Sequence, residues 1–192
     1  MRLKAKEFEE HCLERMRFEE GRGRGTMSRY GVMAWIEVQS TGVTWNPQKS
    51  LPDFEGVLPP LGRQFICDCK VCSKSHVKLA DDHVSELQVR HMLRRSRFGV
   101  VCFLLIHWNE RVLVTKSDPA ETFAFPVYDQ HPFWLAFLAD EGKRTINRED
   151  CRRYGVPVDW NLATERSRIP RPDILAAVWR LLEKELPQPA AV

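Results

Sequence analysis

The run from Gly99 to Trp108, GVVCFLLIHW, constrains the fold more than any other part of this chain. It is strand-length, uninterrupted by charge, and ends in a polar turn at Asn109-Glu110, so it reads as a strand buried within a sheet. It falls well short of the ~18 residues of a membrane span, and no membrane segment is expected. The opening residues, MRLKAKEFEEHC, lack the apolar segment of a signal peptide, which predicts a cytoplasmic protein.

The elements around that strand follow from spacing. Phe8, Cys12, Leu13 and Met16 recur at helical intervals and predict a helix from about Lys4 to Glu20, stopped at Gly21. Residues 31–44 suggest one strand or a hairpin broken near Thr41-Gly42. The short strand Asp53 to Leu58, the turn Pro59-Pro60-Leu61-Gly62 and the strand Arg63 to Val71 form a β-hairpin. A helix is predicted over Asp81 to Arg97, with Asp81 or Asp82 as cap. Val100 to Trp108 is expected to pair with Arg111 to Thr115, with a further strand at Thr122 to Val127. Phe133, Trp134, Leu135, Phe137 and Leu138 read as buried core, with a dimer surface as the alternative. A closing helix, Asp173 to Leu186, puts Ile174, Val178, Leu181 and Leu182 on one face. With 192 residues, this order describes a single α/β domain, a mixed central sheet flanked by helices. Its core spans about 4–128, followed by a basic segment and helix over about 143–186.

A net charge of +3 selects no partner by itself. The distribution is more informative: Arg90, Arg94, Arg95 and Arg97 cluster without an acid between them, and 143–171 is rich in Lys and Arg. Either cluster is a solvated face or a phosphate-binding one. The GRGRG segment at 21–25 is a turn or a phosphate-touching loop, without the G-x-G-x-x-G pattern. Cys67, Cys69 and Cys72, with His76 after them, approximate a zinc pattern only loosely. Lying in a predicted strand, they read as small core residues, and zinc is not expected.

The chemistry concentrates on the hairpin. Residues two apart on a strand share a face, so Asp68 and Lys70 project together, opposite Cys67 and Cys69. The paired strand brings Asp53 near them. Two convergent carboxylates suit a hard cation such as Mg²⁺, whose remaining ligands are water and substrate phosphate. A nearby lysine can orient the attacking water and offset phosphate charge, which makes the set fit for phosphodiester hydrolysis.

The arrangement P-D-x(14)-D-x-K resembles the PD-(D/E)xK nuclease superfamily, and within it the chain is similar to the RecU-type Holliday junction resolvases. The likeness runs in order along nearly the whole chain: Phe8-Glu9-Glu10, Asp53 with Gly56-Val57, Gln88 followed by His91-Met92, Gly99 to Phe103, Lys143 to Ile146, and Pro170 to Asp173. It implies a restriction-endonuclease-like core and a Mg²⁺-dependent enzyme, with Mn²⁺ able to substitute, that cuts branched DNA as a homodimer. Asp53 and Asp68 would bind the metal, Lys70 would act on water, and Gln88 would steady the lysine or the phosphate. Glu9 would complete the site, with Glu10 and Glu55 as alternatives. Arg90, Arg94, Arg95 and Arg97 would contact DNA phosphates together with the basic C-terminal stretch. Relatives carry a long basic stalk before the first hairpin aspartate, whereas here only Thr44 to Leu51 is expected in that place. The alternatives are a related nuclease acting on linear or flap DNA, an inert recombination accessory protein, and a zinc-stabilised interaction module.

Overall fold

The computed structural model describes residues 2–29, 34–39, 42–47, 52–60, 62–79, 83–112, 117–139, 144–162 and 169–185. In chain order the elements are α1 (Ala5–Glu20), β1 (Thr26–Arg29), β2 (Ala34–Gln39), β3 (Gly42–Pro47), β4 (Phe54–Leu58), β5 (Arg63–Cys72), β6 (His76–Lys78), α2 (Glu86–Ser96) and β7 (Val101–Trp108). They continue with β8 (Arg111–Val112), β9 (Ser117–Asp118), β10 (Glu121–Pro126), α3 (Pro132–Leu138), β11 (Thr145–Asn147), α4 (Arg148–Tyr154), β12 (Val156–Pro157), β13 (Trp160–Leu162), β14 (Pro170–Pro172) and α5 (Ile174–Glu185).

The main sheet runs β1-β4-β5-β7-β10-β12. β5 and β7 are parallel while the other neighbours are antiparallel, and α2 supplies the crossover that a parallel pair requires. All eight residues of β7 are buried because helices cover both faces. Val101, Phe103 and Leu105 pack with Phe8, Cys12 and Met16 of α1 and with Val178 and Leu181 of α5. Cys102, Leu104, Ile106 and Trp108 pack with Val89 and Met92 of α2 and with Phe133, Trp134 and Phe137 of α3. The α/β class expected from the sequence is the one found.

Local chemistry explains where the elements begin and turn. Gly56 faces Phe65 across the hairpin, and a Cβ there would lie 2.2 Å from Thr26 O and 2.3 Å from the Phe65 ring. At the buried junction of α1 and α5, Arg15 pairs with Glu19 at 2.9 Å and with Asp173 at 3.2 Å. Arg148 is also buried and donates to the carbonyls of Pro119 and Asn109, each at 2.9 Å. It therefore holds loops together, which is not the phosphate-contacting role expected of the basic C-terminal stretch. Arg152 and Arg171 in the same stretch pair with Glu121 and Glu14.

Two expectations need correction. α2 starts at Glu86, well after Asp81 and Asp82, which lie outside the described residues. Its cap is Ser85: the Oγ accepts from Gln88 N and Gln88 Oε1 accepts from Ser85 N, a reciprocal capping box. His76–Lys78, ahead of it, pairs instead with the distant β11. The second correction concerns β7, whose antiparallel partner is β10, while Arg111–Val112 pairs with Ser117–Asp118. Between β1 and β4, β2 and β3 form a two-stranded antiparallel ribbon whose innermost pair is Gln39 with Gly42, the hairpin that residues 31–44 suggested. β3 takes in Thr44 to Pro47 of the segment expected in place of the stalk, of which 48–51 is outside the described residues.

Candidate active site

Pairing of Phe54 with Cys67 fixes the register of the hairpin, and continuing it by one residue sets Asp53 across from Asp68. The Asp53 Oδ2 accepts the backbone N–H of Cys69 at 2.7 Å, which pins the carboxylate against the neighbouring strand. On β5 the even-numbered side chains face α2 and the odd ones face α1. Asp68 is therefore fully buried between β5 and α2. Its Oδ1 accepts from Gln88 Nε2 at 2.9 Å, and its Oδ2 lies 2.5 Å from Lys70 Nζ. The structure thus brings Asp53, Asp68, Lys70 and Gln88 together.

The electrostatics of this group are unusual. Burial drives the Asp68 carboxyl up to about 8, opposed by the Lys70 charge and reinforced by that of Asp53. For Lys70, burial works to lower the value, but the charges of Asp68 and Asp53 outweigh it and hold the ammonium above its ordinary range. A desolvated carboxyl beside a second, partly exposed carboxylate, with a single lysine, is an environment that favours additional positive charge.

The remaining candidates are placed differently. Glu9 pairs with Arg29 of β1 at 2.9 Å. Among the described residues no group of three or more His, Cys, Asp or Glu converges to hold a metal ion, so Glu9 does not join Asp53 and Asp68 here. Glu10 is exposed on α1, and Glu55 is exposed on β4, on the same strand face as Asp53. Arg90 pairs with Glu86 at 2.6 Å and Arg97 with Asp129 at 2.9 Å. Arg95 donates to Gln64 Oε1 at 3.3 Å, and Arg94 is exposed. Cys67 and Cys69 lie on the α1 side, where Cys69 Sγ is 3.9 Å from Cys12 Sγ. Cys72 is buried on the other face, with its Sγ against the carbonyls of Lys74 and His76.

No family model and no curated protein matches the sequence. Solved structures do match the fold. One is Hjc from Archaeoglobus fulgidus, a Holliday junction resolvase from an archaeal hyperthermophile. It is 14% identical, with 79% of this chain and 94% of that chain covered and a TM-score of 0.41.

Two contributors escaped the sequence reading. Ser85 anchors Gln88, and the Cys69 backbone anchors Asp53. The first carried a signal, since Ser-x-x-Gln ahead of an apolar periodic run marks a helix start. The second had none, because any residue at position 69 supplies the same N–H.

Proposed function

We propose that this protein is a metal-dependent, structure-selective DNA endonuclease that resolves Holliday junctions or similar branched DNA. The observation that carries the reading is the convergence of Asp53, Asp68, Lys70 and Gln88 at the open end of the β4–β5 hairpin. Those residue types stand at the motif positions of the PD-(D/E)xK nucleases. The RecU-type likeness in sequence supplies the substrate class and a homodimeric arrangement.

Asp53 and Asp68 would hold Mg²⁺, or Mn²⁺ in its place. Two carboxylates on paired strands, one of them buried with its charge poorly compensated, suit a cation that keeps water and phosphate oxygens as its other ligands. When bound, such an ion supplies an activated water and neutralises charge on the phosphate. Lys70 positions the water and offers its protons to the phosphate oxygens. Gln88 holds Asp68 in orientation, and the Cys69 N–H does the same for Asp53. Recruiting Glu9 as a further ligand would require its pair with Arg29 to open, whereas Glu55 already lies on the Asp53 face. Arg90 and Arg97 can exchange their exposed acidic partners for DNA phosphates at little cost, and Arg94 and Arg95 would add to the same contact.

Ahead of the first hairpin aspartate, where the resemblance places a long basic stalk, stands the β2–β3 ribbon, whose strands carry Glu37 and no Lys or Arg, so the junction reading rests on the RecU-type resemblance. The test is cleavage of an end-labelled four-way junction beside linear duplex, flap and single strand, with Mg²⁺ or EDTA, for wild type and Asp68→Ala. Symmetric Mg²⁺-dependent nicks confined to the junction, absent from Asp68→Ala, are expected. Equal cutting of linear or flap DNA would keep the active site and reassign the substrate. Tight binding with no cutting would make this an accessory protein.

A further inference from the structure

Phe98 stands 78% exposed just after α2, yet its backbone is firmly held. Its N–H donates to Arg95 O at 3.0 Å, and the next N–H, from Gly99, donates to Ser96 O at 2.9 Å. Gly99 has φ +78°, the left-handed conformation that lets the chain leave the helix and enter β7. Arg63 Nη1 closes on the Gly99 carbonyl at 3.4 Å. Beside the ring, Gly62, Arg63, Gln64, Phe98, Gly99 and Val100 line a cavity of about 390 Å³. Arg94 and Arg95 lie in the last turn of α2 and Arg97 follows it; Arg95 donates to Gln64, a residue of the cavity, and Arg97 is paired with Asp129.

We propose that Phe98 is a stacking platform for an unpaired DNA base, with Arg63 and the arginines of α2 holding the phosphates of the same single-stranded segment. The proposal rests on the reading of this protein as a DNA enzyme and extends it to a second contact on the DNA. A flat aromatic face flanked by cations is the chemistry that binds single strands without reading sequence, because every base has a π-face and every nucleotide a phosphate. The positive charge of Arg63 in the cavity and of the arginines at the end of α2 complements a phosphate backbone. The platform is not part of the hydrolytic group. Asp68 lies five residues along β5 from Arg63, about 17 Å away, so Phe98 would hold a different stretch of the substrate from the one being cut.

The test uses the full chain in EDTA, where cutting is suppressed. The probes are a blunt duplex and the same duplex with a single-stranded tail carrying 2-aminopurine. Wild type is expected to bind the tailed duplex about tenfold tighter than the blunt one and to change the 2-aminopurine fluorescence. Phe98→Ala should lose both effects while binding blunt duplex as wild type does, and Phe98→Trp should restore them. Arg94→Ala should lower the slope of log K against log salt by about one on the tailed probe. Equal loss on both probes, or no loss, overturns the proposal, as does a Phe98→Ala effect confined to the sedimentation of the free protein. Cleavage scores the enzyme reading separately. Tail preference that depends on Phe98 in a protein that cuts nothing would sink the nuclease and leave the platform. A nuclease inactivated by Asp68→Ala with no tail preference would do the reverse.

Discussion

Both faces of β5 pack against helices, but between Cys67 and Lys70 they do opposite things. Towards α1 the strand presents Phe65, Cys67 and Cys69 to a dry layer of Phe8, Cys12 and Met16. Towards α2, one residue out of phase, Ile66 and Cys72 join the second apolar layer, and between them stand Asp68 and the partly exposed Lys70, met by Gln88. Burial on the first face is a source of stability, because apolar and thiol groups lose nothing on leaving water. On the second it is a cost, since a desolvated carboxylate is repaid only in part by one ammonium and one amide. The contrast teaches that the apolar layers on both sides of the sheet carry the folding energy that lets Asp68 be held out of water.

The sharpest way to break this contrast is to remove the charge while keeping the volume. Lys70→Met should leave the far-UV circular dichroism unchanged and lower junction cleavage by about 10³-fold. DNA binding in EDTA should stay within about twofold, because on the proposed reading the exposed arginines would supply most of that affinity. Loss of binding along with cleavage would make Lys70 a structural residue.

On the opposite face the pattern should invert. Met16→Ala removes a fully buried side chain from the α1 layer and should cost about 2–5 kcal/mol in urea unfolding. Cleavage per folded molecule, assayed well below the new midpoint, should be unchanged. A fall in activity matching that of Lys70→Met would mean that the faces are not separable.

How much of this was legible in the sequence follows from the range over which each signal acts. Val101–Trp108 and the periodic faces of α1 and α5 were readable because an apolar run or a 3.6-residue period records burial locally. The alternation that separates Cys67 and Cys69 from Asp68 and Lys70 was readable for the same reason. The pairing of β6 with β11 was not, since three-residue strands far apart in the chain leave no local pattern. Nor was the structural use of Arg148, because a basic residue that holds two carbonyls looks in sequence like one that would hold phosphates. The fold class and the hairpin triad were therefore accessible, while the partners of individual arginines required the structure.

The α2 side of the sheet also holds a polar group that has no part in the proposed chemistry, and it tests whether burial alone produces pH dependence. His131 caps α3, its Nδ1 accepting the N–H of Phe133 at 3.2 Å. The residue is only 3% exposed, and burial lowers its imidazole from 6.5 to about 4. Between those values the unfolded chain binds the proton and the folded one does not. Stability is therefore complete above about pH 6.5 and declines as pH falls towards 4, by on the order of 2 kcal/mol at pH 5. His131→Asn keeps a capping side chain without the titration. Comparing its urea midpoint with wild type at pH 7 and pH 5 should show that this part of the acid sensitivity has gone.

The smallest expected effect separates the two jobs of Gln88. Its Oε1 belongs to the helix cap and its Nε2 to Asp68, so simple loss of activity on mutation would not say which job matters. Ser85→Ala removes the hydroxyl that accepts from Gln88 N and leaves the amide bond to Asp68. It should cost about 1 kcal/mol of stability, with cleavage close to wild type. Gln88→Met removes both bonds at similar volume, and should add to a comparable stability loss about a tenfold drop in kcat with little change in KM, because an unanchored Asp68 no longer holds its orientation. If the two variants were equally active, Gln88 would be a cap that happens to touch the carboxylate. The α2 face of β5 would then owe its function to Asp53, Asp68 and Lys70 alone.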